Sequence, residues 1–352
     1  MEQSGQQTQA TWFQKINPTT KRMFVSLGVL ILLIILFAAL QWEKFTSQMN
    51  IINIIHQVVT YAIVGFGLTF VLVSGGTDLS AGAALALAGM VSLFLISRGV
   101  PIWLSLILTL FVGVFMGGLN GFSVMKLGVL PFIATLGTQW VFRGLTNVIT
   151  DGRPVYTSDL SPADNANFYK IGGGRLIEFV GGGESSSIAS PFLRFLADIP
   201  ISVLIALVYG ILLYFILAKT PFGRKIYACG SNIEAARLSG INVVRTRIGA
   251  YIICSISAVI AGIITASRVT SAQPLAGQGY ELEAIAASVL GGVAMSGGEG
   301  GIINTVIGAL IMGVLRNGLN LNGFNSYWQM VVIGFVIVLA VASEAYRNRK
   351  FT

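Results

Sequence analysis

Long apolar runs separated by short polar or basic stretches organise this chain. They fall at about residues 23–40, 54–73, 81–97, 102–119 and 129–149. After a polar stretch of about 50 residues they resume at 199–218, 248–266, 282–296, 301–315 and 327–341. An α-helix rises 1.5 Å per residue, so roughly 20 apolar residues cross about 30 Å of hydrocarbon. Each run therefore predicts a membrane-spanning helix, about ten in all. The first run is flanked by Lys21 and Arg22, is long for a signal-peptide core and lacks a following small-x-small cleavage site, so it reads as a retained helix. The eighth and ninth runs are short and interrupted by glycine, which predicts that one of them is re-entrant or broken.

Composition agrees with this pattern. Of 352 residues, 54% are hydrophobic and only 10% charged, with 22 Lys and Arg against 14 Asp and Glu and a net charge of +8. The mean hydropathy is +0.79. A soluble domain carries about 25% charged residues, so a cytosolic enzyme, a disordered chain and a secreted disulfide scaffold are all excluded. Cys229 and Cys254 are the only cysteines, too few for a disulfide framework or a four-cysteine zinc site. The basic residues sit in short segments between apolar runs, which is not a nucleic-acid signal. Placing the N-terminus in the cytoplasm puts more of them inside, including Lys15, Lys126, Lys219, Arg224, Lys225, Arg237, Arg245, Arg247 and Arg347; Lys44, Arg98, Arg268 and Arg316 then fall outside. The expected organisation is a cytoplasmic tail (1–22), a transmembrane domain (23–341) and a cytoplasmic tail (342–352). Within the domain lie an outer loop (150–198) and a basic cytoplasmic loop (219–247).

Within the runs, small residues predict close helix packing. Gly113, Gly117 and Gly121 form two overlapping G-x-x-x-G steps, and residues 81–89 form a second small face; a subunit interface is one use of such faces. The fifth run carries Thr135, Thr138, Gln139, Arg143, Thr146, Asn147 and Thr150 at steps of three or four, opposite Ile133, Leu136, Trp140, Val141, Leu145 and Val148. A stripe with an arginine avoids lipid. It either packs on another helix or lines a polar solute path. Asp78, in the turn Gly75-Gly76-Thr77-Asp78-Leu79-Ser80, is a helix cap or a path residue. Glu281 and Glu283 read as residues at the outer start of the eighth run, where they either cap the helix or form a mouth or gate. His56 reads as a local hydrogen-bond partner. No carboxylate is expected near the mid-depth of a run, which argues against an ion-coupled secondary transporter. No phosphate-cradling G-x-x-x-x-G-K-[ST], H-E-x-x-H or metal-binding carboxylate cluster is present, so the chain holds no catalytic or metal site and no cofactor of its own.

In the basic loop, Ser231 or Asn232 signals a helix start, Ile233-Glu234-Ala235-Ala236-Arg237-Leu238 a short helix and Gly240 its stop. Ile233, Ala236 and Leu238 offer a small apolar face. It suits either anionic headgroups or a groove on a cytoplasmic partner.

The stretch from Phe222-Gly223-Arg224 through Gly230-Ser231-Asn232-Ile233-Glu234-Ala235-Ala236-Arg237-Leu238-Ser239-Gly240-Ile241-Asn242 resembles the Glu-Ala-Ala coupling loop of a known family. That family is the integral membrane permeases of bacterial ABC importers for simple sugars, the ribose/galactoside/xylose branch, and the likeness is strongest to ribose permeases. Residues 74–82, 131–138, 279–287, 289–301 and 317–320 match further motifs of the family. The likeness implies an all-α polytopic membrane protein with about ten transmembrane helices, in the ABC-importer permease fold of the vitamin-B12-importer type. It implies two permease copies, a homodimer in the simplest arrangement, forming the pore, and separate ATPase subunits that bind ATP and Mg. It also implies a substrate-binding protein docking outside. The helix around Glu234–Leu238 would fit a cleft on the ATPase. The outer loop from about Asn165 to Ser190 is longer and richer in glycine than a ribose permease leads one to expect. Nucleosides, the furanosyl autoinducer and polyols such as inositol are alternative solutes.

Overall fold

The computed structural model describes residues 18–179 and 190–349. The first 17 residues with Lys15, the glycine run 181–183 and the last three residues lie outside them. Helices occupy all ten predicted positions: α1 (Pro18–Leu40), α3 (Gln48–Val73), α4 (Ala81–Ser97), α5 (Ile102–Met125), α6 (Pro131–Thr150), α10 (Ile201–Lys219), α13 (Val243–Arg268), α14 (Tyr280–Gly291), α15 (Ile302–Leu321) and α16 (Ser326–Arg349). Among the described residues, six are long and apolar enough to cross a membrane: α1 from Arg22, α3, α5, α10, α13 and α15. The short helix α2 (Trp42–Phe45) joins α1 to α3.

Three of the six form the inside of the bundle. Their most apolar windows are 72% (α3), 67% (α13) and 78% (α15) buried, against 22% for α1 and α10 and 28% for α5. α13 lies at the centre, packed on α3, α4 and α5. Side-chain size explains this. A Cβ on Gly117 would lie 2.5 Å from the Ile252 Cα, and one on Gly121 2.8 Å from the Ile248 Cα; Gly113 faces Val259. The G-x-x-x-G face is thus filled by α13 of the same chain, which leaves no part of it for a second copy. The small face of α4 is consumed similarly, with Gly89 against Gly262 and Ala266 of α13. Close backbone approach supplies the packing that a hydrophobic drive supplies in water. The peripheral helices present large apolar side chains outward, among them Leu32 on α1, Phe115 on α5, Trp140 on α6, Val208 on α10 and Phe335 on α16.

The stretch expected as one polar loop after α6 is partly ordered. It holds β1 (Val155–Tyr156), a 3₁₀ turn (Thr157–Asp159), α7 (Pro162–Gly172), α8 (Leu176–Phe179) and α9 (Pro191–Ala197). β1 pairs antiparallel with β2 (Ser271–Ala272), Val155 opposite Ala272. α7 is fastened to α13: the Ser267 hydroxyl donates to the Phe168 carbonyl (2.6 Å) and accepts from the Gly172 N–H (2.7 Å). At the other end of the bundle lie α11 (Pro221–Ser231) and α12 (Ile233–Leu238). The sequence signals single out only α12; α11 escapes them because its glycines at 223 and 230 weaken the helical pattern.

The eighth run departs most from a simple span. α14 has 12 residues, about 18 Å, too short for the hydrocarbon core. Residues 269–279 before it contain only β2 and turns, yet reach deep into the bundle. A Cβ on Gly277 would meet the Gly82 carbonyl oxygen at 2.9 Å. This is the broken span that its length and glycines predict.

The glycine contacts make a stability prediction. Gly117→Val, which drives side-chain atoms into the α13 backbone, should abolish recovery of monodisperse protein from membranes. Gly118→Ala, whose Cβ meets nothing within 4 Å, should leave it unchanged; size-exclusion chromatography in mild detergent reads both.

Candidate functional site

The polar residues that the sequence distributes over four runs meet in one layer across the bundle. α6 supplies its spine. Pro131 at the first turn sets the helix start. Three successive members of its stripe then reach three different partners. Thr138 donates to the Asn120 side-chain oxygen on α5 (2.6 Å), Gln139 to Glu281 on α14 (3.2 Å), and one Arg143 nitrogen to the carbonyls of both Pro274 (2.7 Å) and Ala276 (2.8 Å). Thr135 and Asn147 bond back to their own helix, to the Pro131 and Arg143 carbonyls. Gln139, Arg143 and Asn147 are half-buried, and Thr135 is fully buried. The stripe is therefore a clamp on the broken span, and only its half-exposed members can also meet a solute.

Asp78 is fully buried. Isolated, a carboxylate in such surroundings costs several kcal/mol. Here Ser80 donates to it twice, from its N–H (2.8 Å) and its hydroxyl (2.6 Å), and the Asn120 amide donates at 3.3 Å. Ser80 precedes α4 but makes no side-chain cap bond to it; Asp78 instead ties the α3–α4 turn to α5 and, through Thr138, to α6.

Glu281 and Glu283 do not lie at an outer mouth. α14 starts inside the bundle, so Glu281 faces Gln139, the ninth residue of the 20 in α6. Glu283 pairs with Arg316 of α15 at 2.9 Å, and Arg316 also donates to the Tyr61 hydroxyl, which belongs to the middle of α3. Two carboxylates expected at the surface, and an arginine expected in an outer segment, thus sit level with helix midpoints. The physical reason is the irregular stretch 269–279, which carries the chain from the end of α13 into the bundle before α14 begins. Asp78 adds a third carboxylate, so the expectation of none near mid-depth fails. Asn120, Tyr61 and Arg316 escape the sequence reading; an arginine followed by Asn317 and Asn320 at the end of an apolar run is the signal for the last of these.

At the α12 end, glycine junctions couple the loops. Gly298 N–H donates to the Val73 carbonyl (2.8 Å), and a Cβ on Gly297 would lie 3.0 Å from the Cα atoms of both Gly230 and Gly75. The two similar Ser-Gly-Gly motifs at 74–76 and 296–298 therefore meet, with Gly230 of α11 between them. Arg247 holds the first through the Ser74 (3.0 Å) and Gly75 (2.5 Å) carbonyls, and Tyr227 holds the second through the Gly300 carbonyl (2.7 Å).

α12 hangs from this junction. Asn232 is its cap, accepting from the Glu234 (3.0 Å) and Ala235 (2.9 Å) N–H groups, while the Ser231 hydroxyl bonds back to Tyr227 in α11. Gly240 closes the helix at φ +78°, a conformation glycine adopts without a Cβ penalty. The apolar face divides: Ala236 is buried with Cys229 and Val243 and packs near Ile233, whereas Leu238 is 89% exposed. Glu234 and Arg237 form an exposed ion pair of 3.0 Å. The outward surface is therefore Glu234, Ala235, Arg237 and Leu238, without Ile233 or Ala236.

Residues 50–341 match the family model described as the permease component of the branched-chain amino acid transport system. The chain belongs to this permease family. It is a polytopic membrane permease, a transport component and not an enzyme. It is 42% identical to the ribose import permease of Bacillus subtilis, over 95% of this chain and 94% of that protein, and 39% identical to that of Haemophilus influenzae, over 94% of each. The xylose transport system permease protein of Escherichia coli is 31% identical over 96% of this permease and 95% of its own length. No solved structure matches.

The clamp is testable. Arg143→Ala removes both bonds to the 274–276 backbone and should slow solute uptake by tenfold or more, because each bond to a charged donor contributes about 1.5–3 kcal/mol. Gln139→Leu should slow it less. Both proteins should insert normally, and uptake into membrane vesicles measures the difference.

Proposed function

We propose that this chain is the permease subunit of an ATP-binding-cassette importer that carries a ribose-like monosaccharide through the bacterial plasma (inner) membrane. The observation that carries this reading is the likeness to ribose import permeases over nearly the whole of both chains. In this reading all ten apolar helices cross or enter the membrane, in the permease fold of the vitamin-B12-importer type, with both termini cytoplasmic. A second copy, taken to be identical, completes the pore. A binding protein delivers the sugar from outside. ATP and Mg bind only to the ATPase partner, and lipid covers the apolar faces of α1, α10 and α16.

α12 is the coupling helix. Its outward surface of Glu234, Ala235, Arg237 and Leu238 enters a cleft on the ATPase, and an exposed leucine is the natural anchor for such a groove. Ser231, Asn232 and Gly240 shape the helix, while Ile233 and Ala236 seat it on its own chain. Closure of the ATPase then moves α11, and Gly230 passes the displacement to the ends of α3 and α15 through the glycine junctions. Asp78, Thr138, Gln139, Arg143, Glu281 and Glu283 hold the mid-depth layer that this movement opens, and Thr135 and Asn147 brace α6 within it. An ion-coupled carrier is disfavoured, since Glu283 already has Arg316 and Asp78 already has three donors.

Leu238→Glu and Glu234→Lys should each abolish co-purification of the ATPase and sugar uptake, with permease yield unchanged. Ala236→Trp should instead lower the yield of the permease itself, because its site is filled by Cys229 and Val243. A pull-down of the tagged chain from its native membranes with mass spectrometry reads all three. Recovery of the wild-type chain without any P-loop ATPase overturns the importer reading.

A further inference from the structure

The broken span encloses a cavity of about 200 Å³ between α4, α13 and residues 269–280. Its walls include Leu85 and Gly89 of α4, Thr265 of α13, and Gln273, Ala276 and Tyr280. No charged side chain lines it. Thr265 is buried, 9% exposed, and its hydroxyl has no hydrogen-bond partner. That is unusual for a helical threonine. Thr69, Thr109, Thr135 and Thr146 each donate to the carbonyl four residues back, at 2.7–2.8 Å. A buried hydroxyl left unsatisfied costs about 1–3 kcal/mol, so a group that meets it from the cavity is favoured. Two further buried polar atoms beside the same segment, Arg143 Nη2 and Glu281 Oε2, also lack partners.

We propose that this cavity, which lies between the end of α13 and the buried start of α14, is a binding site for one uncharged monosaccharide. The Thr265 hydroxyl, the Gln273 amide and the Tyr280 hydroxyl meet the sugar's hydroxyl groups, and Leu85 and Gly89 lie against its C–H face. Three features support that ligand class. Non-helical backbone at membrane depth is tolerated where it is buried in protein or lines a water-filled cavity, and discontinuous helices build transporter sites in this way. The absence of charge in the wall disfavours ions and suits a neutral polyol. The volume corresponds to about seven waters at ~30 Å³ each and falls below the roughly 300–1,000 Å³ of sites for drug-sized ligands, which suits a ligand as small as a monosaccharide. Gln273 is exposed, so the site opens on one side, and Arg143 holds that wall through Pro274 and Ala276.

This inference rests on the sugar-importer reading above. The test uses the whole importer, with permease, ATPase and binding protein in proteoliposomes, and radiolabelled ribose as probe. Thr265→Val keeps the side-chain shape and removes the hydroxyl; it should slow ribose uptake roughly fivefold, the loss of one hydrogen bond. Ala276→Leu projects into the cavity and should stop uptake. Gln273→Leu, at an exposed position that tolerates folding, should slow it by a similar roughly fivefold factor. In all three, ATP hydrolysis should still respond to the loaded binding protein. Wild-type ribose uptake by Thr265→Val and Gln273→Leu overturns the site while leaving the importer reading intact, as does adenosine uptake by the unaltered complex. A wild-type complex that imports no sugar overturns the importer reading and the site with it.

Discussion

A chain that leaves the helix inside an apolar bundle must find partners there for its carbonyl and N–H groups, and Arg143 meets that need. One guanidinium nitrogen donates to two carbonyls, those of Pro274 and Ala276. Without it, the Pro274 and Ala276 carbonyls would lose their partner within the bundle. With it, the span breaks, α14 begins halfway through, and Glu281 and Glu283 reach the layer where Gln139 and Arg316 wait. The mid-depth layer therefore depends on α6 being both a helix and a donor array.

That layer and the glycine junction at the α12 end are joined through the same helices. The α3 end that meets Gly298 leads directly into the turn carrying Asp78. The α15 start beyond Gly300 leads to Arg316 and so to Glu283. α11 and α12 lie against the same glycines. Glycine is required here for closeness: at Gly230 a side chain would collide with the backbone of Val73 and Gly298. A displacement of α12 has few soft contacts in which to dissipate, because packed interiors resist compression.

The charged groups divide by what pairs them. Arg22 and Glu299 form an ion pair of 2.8 Å near the α12 end, and Arg175 joins Glu178 and Asp198 near the opposite end, each at 3.2 Å. These exposed or half-exposed pairs contribute little each. The Arg316–Glu283 pair differs in its setting: Glu283 is mostly buried among helices, Arg316 is half-buried and also holds Tyr61, and removing either member strands the other.

Much of this protein is legible in its sequence. The apolar runs locate helices at all ten positions, because a helix satisfies its own backbone and an apolar run gives it side chains to bury. Glycine spacing marks the close contacts, and the shortness of the eighth run marks the break. Asn232, the capped hexapeptide and Gly240 mark α12, since caps are local chemistry. Other features are set only by tertiary structure. The G-x-x-x-G face could serve α13 or a second copy, and only the bundle shows that α13 fills it. Leu238 and Ala236 point to opposite sides of the helix, and only the packing shows that the Ala236 side is covered by Cys229 and Val243 while Leu238 is left exposed. The depth of Glu281 and Glu283 follows from how far an irregular segment travels before helix resumes. Periodicity reports which residues share a face; which neighbour that face meets, and at what depth, depends on contacts between residues far apart in the chain.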